Sequence, residues 1–396
     1  CLVGSEMCIR DRSKYLVYTM ILFTFFIVVS GCTINQSFGN KQNANKTIRV
    51  VAVGDNLIHP VVYKDAQITG NSFDFKPMYQ PVRKDIQNAD ISFVNQESPL
   101  GGDDRPYSGF KNFNTPSSIA QDLVDTGFNF VNGANNHALD QGEQGVRNHI
   151  HTWNKFKYQV LFTGVYESEQ AHRQIPIKTI KGVKVALLSY TFGTNDHQPT
   201  HDYTVDTFDE NKIKQDVKKA KQQSDVVLVS AHWGNEGKHQ PNATQKKYAQ
   251  IFADAGVDVV LGTHPHVIQP VKWVDGREGN RTLVAYSLGN FLNGQSTGDE
   301  SNDLLGRIDF KISKKDKQFQ VQDVKWRSMV NYYELTQHQN RFLKSNFKVM
   351  MLDDYNDNDA AHHGRNQRYD STMAPNHLRD ITRSVIDQQF LDNRSL

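Results

Sequence analysis

Seven side chains able to bind a cation or move a proton stand at or just past the ends of apolar runs. Asp55 follows "VVAVG", Glu97 follows "ISFVNQ", and Asn136 and His137 follow "FVNGAN". His232 follows "VVLVSA", and His264 and His266 follow "VVLGT". Imidazole nitrogens with carboxylate oxygens suit Zn, Mn or Fe, and the lack of thiolates argues against a closed structural zinc site. Neutral His and Asn ligands keep the local charge low, and a carboxylate can bridge two cations. In two-metal hydrolases, ions roughly 3.5–4 Å apart clamp the attacking and leaving oxygens. The expected cofactor is a divalent metal, one ion or two (Mn, Zn or Fe).

Each residue alone also has a structural explanation. Asp55 after Gly54 can cap a turn, Asn135 and Asn136 suit left-handed turn positions, and His232 beside Trp233 can be a buried imidazole satisfied by a carbonyl. Recurrence at successive strand ends favours a site. Pro265 cannot continue a central ladder, so the strand carrying "GTHPH" is expected to end there, with alternation turning His264 and His266 to one side.

These residues require parallel strands that end on a common edge, where open α/β sheets bind ligands. The strand candidates are "TIRVVAVGD", "ADISFVNQES", "FNFVNGANNH", "VKVALLSYTFG", "SDVVLVSAHWG", "VDVVLGTHPH" and "RTLVAYSLGNF". Helix candidates include "TPSSIAQDLVDTG", "DENKIKQDVKKAKQQ" and "NATQKKYAQIFADAG", the last two opening on Asp or Asn and the first and last closing on Gly. This rhythm predicts a layered α/β domain. Residues 306–331 alternate around a Lys-Lys-Asp-Lys turn and read as a closing hairpin. The more polar residues 332–396 are expected to form terminal helices around a mobile loop, with His362 and His363 solvated.

Of the 396 residues, 38% are hydrophobic, enough for a large core, and 45 Lys+Arg against 43 Asp+Glu leave a charge of +2 with no basic block. Nucleic acid is therefore set aside as a partner. The three cysteines, Cys1, Cys8 and Cys32, all precede the body, so no Cys-based site is expected in it. Residues 1–12, "CLVGSEMCIRDR", lack an initiator Met and resemble translated adapter sequence. Residues 13–31, with Lys14 before the apolar Leu16–Val29 stretch, read as a signal peptide with a truncated start. The "VSGC" ending resembles a lipoprotein processing box, which would make Cys32 the lipidation site; an uncleaved membrane anchor is the alternative. Residues 32–47 read as a flexible tether, so the expected location is the extracytoplasmic face of the cell membrane, lipid-anchored.

The order "GD", "NQE", "GANNHALDQG", "SAHWGNE", "GTHPHVIQP" and "YSLGNF" resembles the bacterial capsule synthesis protein CapA family over roughly residues 48–331. That resemblance implies a role in poly-γ-glutamate or capsule synthesis, release or export. It also implies kinship with calcineurin-like metallophosphoesterases: a sandwich of two mixed β-sheets flanked by helices. By position, Asp55, Glu97, Asn136, His232, His264 and His266 resemble the metal ligands, with Glu97 at the bridging place. His137 resembles the histidine that protonates the leaving group. Asp140 either sets the His137 tautomer or caps a helix. Arg105 and Lys111 are candidates for gripping an anionic substrate, though each also reads as surface charge, and Ser287 and Asn290 for lining the pocket, though a strand-end turn at Gly289 is the competing role for "YSLGNF". Asn56 and Leu57 stand where those enzymes carry Asp-x-His, and His59 substitutes only if its loop folds back. Expected partners are an anionic polymer, the membrane through a lipid anchor, and membrane-bound synthase subunits. A non-catalytic polymer-binding assembly factor and a general phosphodiesterase or nucleotidase are the alternatives.

Overall fold

A computed structural model describes residues 47–396 apart from 297, 317, 339–340 and 369–371. The expectations for residues 1–46, Cys32 among them, lie outside the described residues. Along the chain the strands are β1 (Ile48–Leu57), the small hairpin β2 (Gln67–Thr69) and β3 (Ser72–Phe73), β4 (Ile91–Gln96), β5 (Phe130–Asn132), β6 (Leu161–Thr163), β7 (Ile177–Ile180) and β8 (Val183–Thr191). There follow β9 (Val226–His232), β10 (Val259–Thr263), β11 (Val271–Asp275), β12 (Arg281–Ala285), β13 (Asn290–Asn293), β14 (Leu304–Lys315), β15 (Gln318–His338) and β16 (Arg341–Met351).

They form two large mixed sheets, ordered β16-β15-β14-β1-β4-β5-β6, with β13 also on β1, and β11-β12-β10-β9-β8-β7. Alternation in β1 explains why the sheets stack. Val50 and Ala52 face inward and join Phe93 and Phe130 against Leu187, Leu228 and Leu261 of the other sheet. Val51 and Val53 face outward, packing with Val94 and Val131 under Tyr79, Val82 and Leu123 of helices Lys76–Gln87 and Ile119–Thr126. On the opposite face, Val227, Val229 and Val260 meet Val217 and Phe252 of helices Glu210–Gln223 and Ala243–Ala255. Strands buried on both faces read as continuous apolar runs, which is why "VVLVSA" and "VVLGT" are legible. The two-sheet sandwich flanked by helices is the architecture the resemblance implied.

A carboxylate or amide marks the entry to four central strands. Asp90, Asp225 and Asp258 accept the backbone N–H of Arg49, Lys184 and Val227, each at 2.7–2.8 Å, and Asn129 accepts that of Ser92. These bonds tie each strand start to its neighbour and help set register. Burial pushes the Asp258 carboxyl up to about 6, against the Val227 N–H, which favours its charged form. A carboxyl raised in the folded state contributes stability that is complete below its unfolded pKa and lost as pH rises through about 6. Asp258→Asn is therefore expected to raise the melting temperature at pH 8, by about 1–2 kcal/mol of stability given its partial exposure, and to change little near pH 4. Thermal melts at the two pH values check this.

The region 332–396 differs from its expectation. The strand β15 runs on to His338 and pairs with β16, extending the large sheet, before short helices follow. Phe347, Val349 and Met351 are buried on alternate positions, a period-2 signal hidden by the polar residues around it. His362 is exposed as expected, but His363 is fully buried, bonded to Asn331 O at 3.0 Å beneath Tyr332 and Tyr333. Sheet extension supplies a carbonyl and aromatic walls that local polarity does not announce. Among the described residues, no helix is long and apolar enough to cross a membrane.

Candidate metal centre

Strands β1 and β4 of one sheet run parallel, as do β9 and β10 of the other, so the residues at and just past their C-terminal ends come together from two sheets rather than along one sheet edge. Two glycines permit the close approach that completes this meeting. A Cβ on Gly54 would lie 1.8 Å from Gly289 O, and one on Gly262 would lie 2.0 Å from Tyr286 O. The "YSLGNF" segment thus crosses directly over the ends of β1 and β10, and Asp55 pairs with Asn290 in register. Any side chain at Gly54 or Gly262 would push this crossing away.

Asp55, Glu97, His232, His264 and His266 are all buried there. Glu97 with His232 and His264, and Asp55 with Glu97 and His266, each offer one ligand atom per residue within 4.8 Å of the others. Glu97 belongs to both groups, as a shared ligand would. Asp55 Oδ1 accepts from Asn95 Nδ2 at 2.7 Å and Oδ2 from the His264 backbone N–H at 3.0 Å, while His266 Nδ1 lies 3.3 Å from Oδ2. The Asn136 Oδ1 atom is 2.8 Å from His232 Nε2, whose Nδ1 meets Thr263 Oγ1 at 2.9 Å.

The fit to a cation rests on atoms left without partners. Both Glu97 carboxylate oxygens and His264 Nδ1 are buried with no hydrogen bond. A buried, unpaired carboxylate is costly, and a divalent cation satisfies it. Burial, then the nearby Asp55, pushes the Glu97 carboxyl well above the usual range. Burial holds His232 and His264 well below the ordinary imidazole value, so both are neutral ligands at pH 7. Burial also lowers His266, but Glu97 and Asp55 outweigh it and raise its pKa, so His266 would release a proton on ligating a cation.

Strand alternation does not orient the histidine pair, because β10 ends at Thr263. His264 and His266 instead adopt left-handed backbone, with φ of 97° and 58°. Such conformations cost of order 1–3 kcal/mol and persist where surrounding structure imposes them. Here Ser287 Oγ donates to Val267 O at 2.7 Å, and Asn290 brackets His266, with Oδ1 3.0 Å from Nδ1 and Nδ2 donating to its carbonyl. Ser287 and Asn290 are fully buried and hold the turn rather than face a pocket. Asn290→Ala is expected to weaken cation affinity tenfold to a hundredfold, read by metal titration, as for other residues that orient a ligand.

His137 lies outside the ligand groups. Its Nδ1 donates to Asp140 Oδ2 at 2.8 Å, and Asp140 Oδ2 also accepts Phe113 N–H at 2.7 Å. Gln141, not Asp140, stands at the N-cap of the following helix, without a side-chain cap bond, and the Asp140 carboxylate instead orients the imidazole. Phe113 packs edge-on against the same ring, with Phe110 further out. On that loop, Arg105 Nη1 donates to Gln141 O at 3.3 Å and exposed Lys111 lies 3.8 Å from Asp196. Leu57 is buried in the core and Asn56 bonds to Gln96 and Tyr79, so neither replaces the missing His. His59 Nδ1 is engaged near Leu57 O and Gly294 N, and His59 is in no ligand group.

Sequence reading missed four contributors. Asn95 could have been found by alternation, two residues before Glu97 on the same face. Glu236, in "HWGNE", is exposed and reaches a ligand group with His264 and His266. Thr263 and Phe192 carry no local signal; the Phe192 ring lies 4.5 Å from that of His264.

The profile described as bacterial capsule synthesis protein PGA_cap matches residues 49–295. The chain is 33% identical over 176 residues to the PGA biosynthesis protein CapA of Bacillus subtilis, covering 43% of this chain and 44% of that one. It is 27% identical over 267 residues to the capsule biosynthesis protein CapA of Bacillus anthracis, covering 64% and 61%. The chain thus spans about half the length of these relatives. A Staphylococcus aureus structure designated a candidate 5′-nucleotidase, in complex with alpha-ketoglutarate, superposes with a TM-score of 0.45 at 14% identity, covering 71% of this chain and 54% of that one. With its profile match spanning more than half of the sequence, the chain belongs to the bacterial capsule synthesis protein PGA_cap family.

Proposed function

We propose that the protein is a membrane-tethered, extracytoplasmic hydrolase that cuts an anionic polymer such as poly-γ-glutamate during its synthesis, release or export. The supporting observation is Glu97: a fully buried carboxylate with both oxygens unpaired, facing His232 and His266 at 3.6 and 3.8 Å. A bound divalent cation, Mn, Zn or Fe, would supply Lewis acidity and lower the pKa of a water. Asp55, Glu97, Asn136, His232, His264 and His266 would hold it. The burial of these groups excludes bulk water and strengthens their pull on a developing negative charge. Held by Asp140, His137 presents Nε2 for proton transfer to a leaving oxygen or nitrogen. Phosphoester and γ-glutamyl amide bonds are the substrates this apparatus suits.

The decisive measurement combines bound-metal analysis with phosphodiester and γ-glutamyl assays on wild type and His264→Ala. Metal in wild type, with metal and turnover lost together in the variant, is the expected result. Absence of metal, with polymer output unchanged in the variant, would sink the hydrolase reading. The departure at Asn56 and Leu57 supports a second reading, a non-catalytic factor in which the same pocket holds polymer. Metal binding without turnover on either substrate class would favour it.

A further inference from the structure

A cleft of about 930 Å³ opens beside the metal centre, within the range of roughly 300–1,000 Å³ typical of ligand sites. Phe192 is the shared wall. Its ring packs on His264 and His232, yet it remains 47% exposed. From there the cleft follows the 193–209 segment to the start of helix Glu210–Gln223 and to Tyr248.

The charge of this cleft does not match a polyanion. Glu169, Asp202, Asp206 and Asp209 line it against a single ammonium, Lys212. A stretch of carboxylate polymer would meet net repulsion. An amine fares little better, because the acidic groups are already engaged. Asp206 accepts from His172 Nε2 at 2.8 Å and pairs with Lys212 Nζ at 3.3 Å. Asp209 caps its helix by accepting the Lys212 backbone N–H at 2.7 Å, and Glu169 pairs with Arg173 at 2.5 Å. Asp202 lies on the exposed rim, where water screens its pull on a cation.

What remains is a set of aromatic side chains beside a few polar groups. Phe192 and Tyr203, the latter stacked on His201 by one face, line the cleft, while Phe208 and Tyr248 pack together with centroids 4.7 Å apart. His172, Lys212 and Asp206, paired with one another, are the polar groups beside them, with capacity left at Lys212 Nζ and the Asp206 oxygens for hydroxyls. Apolar ring faces combined with a few placed polar groups suit a guest that is itself amphipathic and uncharged. A sugar ring, with C–H faces and a rim of hydroxyls, has that chemistry.

We propose that this cleft is a saccharide subsite, holding a neutral, hydroxyl-rich ring of a glycan whose anionic substituent lies toward the metal centre. The substituent's placement rests on the hydrolase reading, while sugar recognition stands on the cleft itself. Within the hydrolase reading, the bond cut would then be the one that joins the anionic polymer to a glycan.

The test uses the full-length chain in a non-glycosidic detergent with metal chelated, so that sugar binding and hydrolysis can fail independently. Calorimetric titrations compare neutral tetrasaccharides (N-acetylglucosamine and glucose tetramers) with spermidine and tetra-γ-glutamate. At least one tetrasaccharide is expected to bind with Kd of about 1 mM or tighter. Tyr203→Ala should weaken that binding about tenfold, equivalent to removing one stacking face, and Tyr203→Phe should restore it to within about twofold. Asp202→Asn should leave it nearly unchanged. Failure of every tetrasaccharide to bind would overturn the proposal. So would indifference to Tyr203→Ala, or tighter binding of spermidine or tetra-γ-glutamate that Tyr203→Ala or Asp202→Asn abolishes.

Discussion

Glutamine in place of Glu97 is expected to abolish tight cation binding while making the metal-free protein at least as stable as wild type. The two effects have opposite signs because the carboxylate is a liability without a cation and a ligand with one. Its oxygens are buried without hydrogen bonds, and the closest basic atoms are His232 Nε2 at 3.6 Å and His266 Nε2 at 3.8 Å. Burial and Asp55 raise its pKa, so the folded state holds the proton more firmly than the unfolded chain does. The associated stability is complete below the unfolded carboxyl pKa and is lost as pH rises toward the folded value. Glu97→Gln removes that pH dependence. With cation present at about a hundred times Kd, wild type gains about 2.7 kcal/mol by mass action, and the variant gains nothing. Melting curves from pH 4 to 8, with chelator and with Mn or Zn, read both effects, and elemental analysis gives occupancy. Equal metal content in Glu97→Gln and wild type would remove Glu97 from the ligand set.

His137→Ala is expected to lower turnover about 10²–10⁴-fold with metal content unchanged. The separation follows from geometry. His137 shares no ligand group with the buried carboxylates, and its Nδ1 is committed to Asp140. What is lost is a positioned proton donor, so the defect should be smallest for substrates with good leaving groups. Asp140→Asn should give a smaller loss, because the amide still accepts Phe113 N–H but holds the imidazole less firmly. Activated and unactivated phosphodiesters assayed across pH distinguish these outcomes. An equal loss on both would point to collapse of the site rather than a missing acid.

Much of this apparatus is written locally. The runs "VVLVSA" and "VVLGT" read as central strands because they are almost wholly apolar, and their next polar residues must then stand at the strand ends. Asn242 with Gln245 forms a reciprocal capping box, and Gly256 takes the left-handed turn at the other end of that helix. These assignments depend on nearest neighbours and backbone chemistry. The partners do not: Asn95 meets Asp55, Thr263 meets His232 and Asn290 meets His266 across 40, 31 and 24 residues. Ser287 and Asn290 look like pocket residues in a string of polar letters. Only the crossing at Gly54 and Gly262 turns them inward to hold a turn.

By itself, then, the sequence determined the strand ends, the helix caps, and the polar residues placed on the edge, because periodicity and capping are short-range effects. Tertiary structure decided which of those residues share a ligand group, why the two histidines of "GTHPH" turn the same way, and how β15 and β16 extend the sheet. Each of those outcomes depends on desolvation and on hydrogen bonds between distant segments. Glu97 shows the difference most plainly: its type and position are legible in "VNQE", but its two unpaired oxygens exist only once both sheets have closed around it.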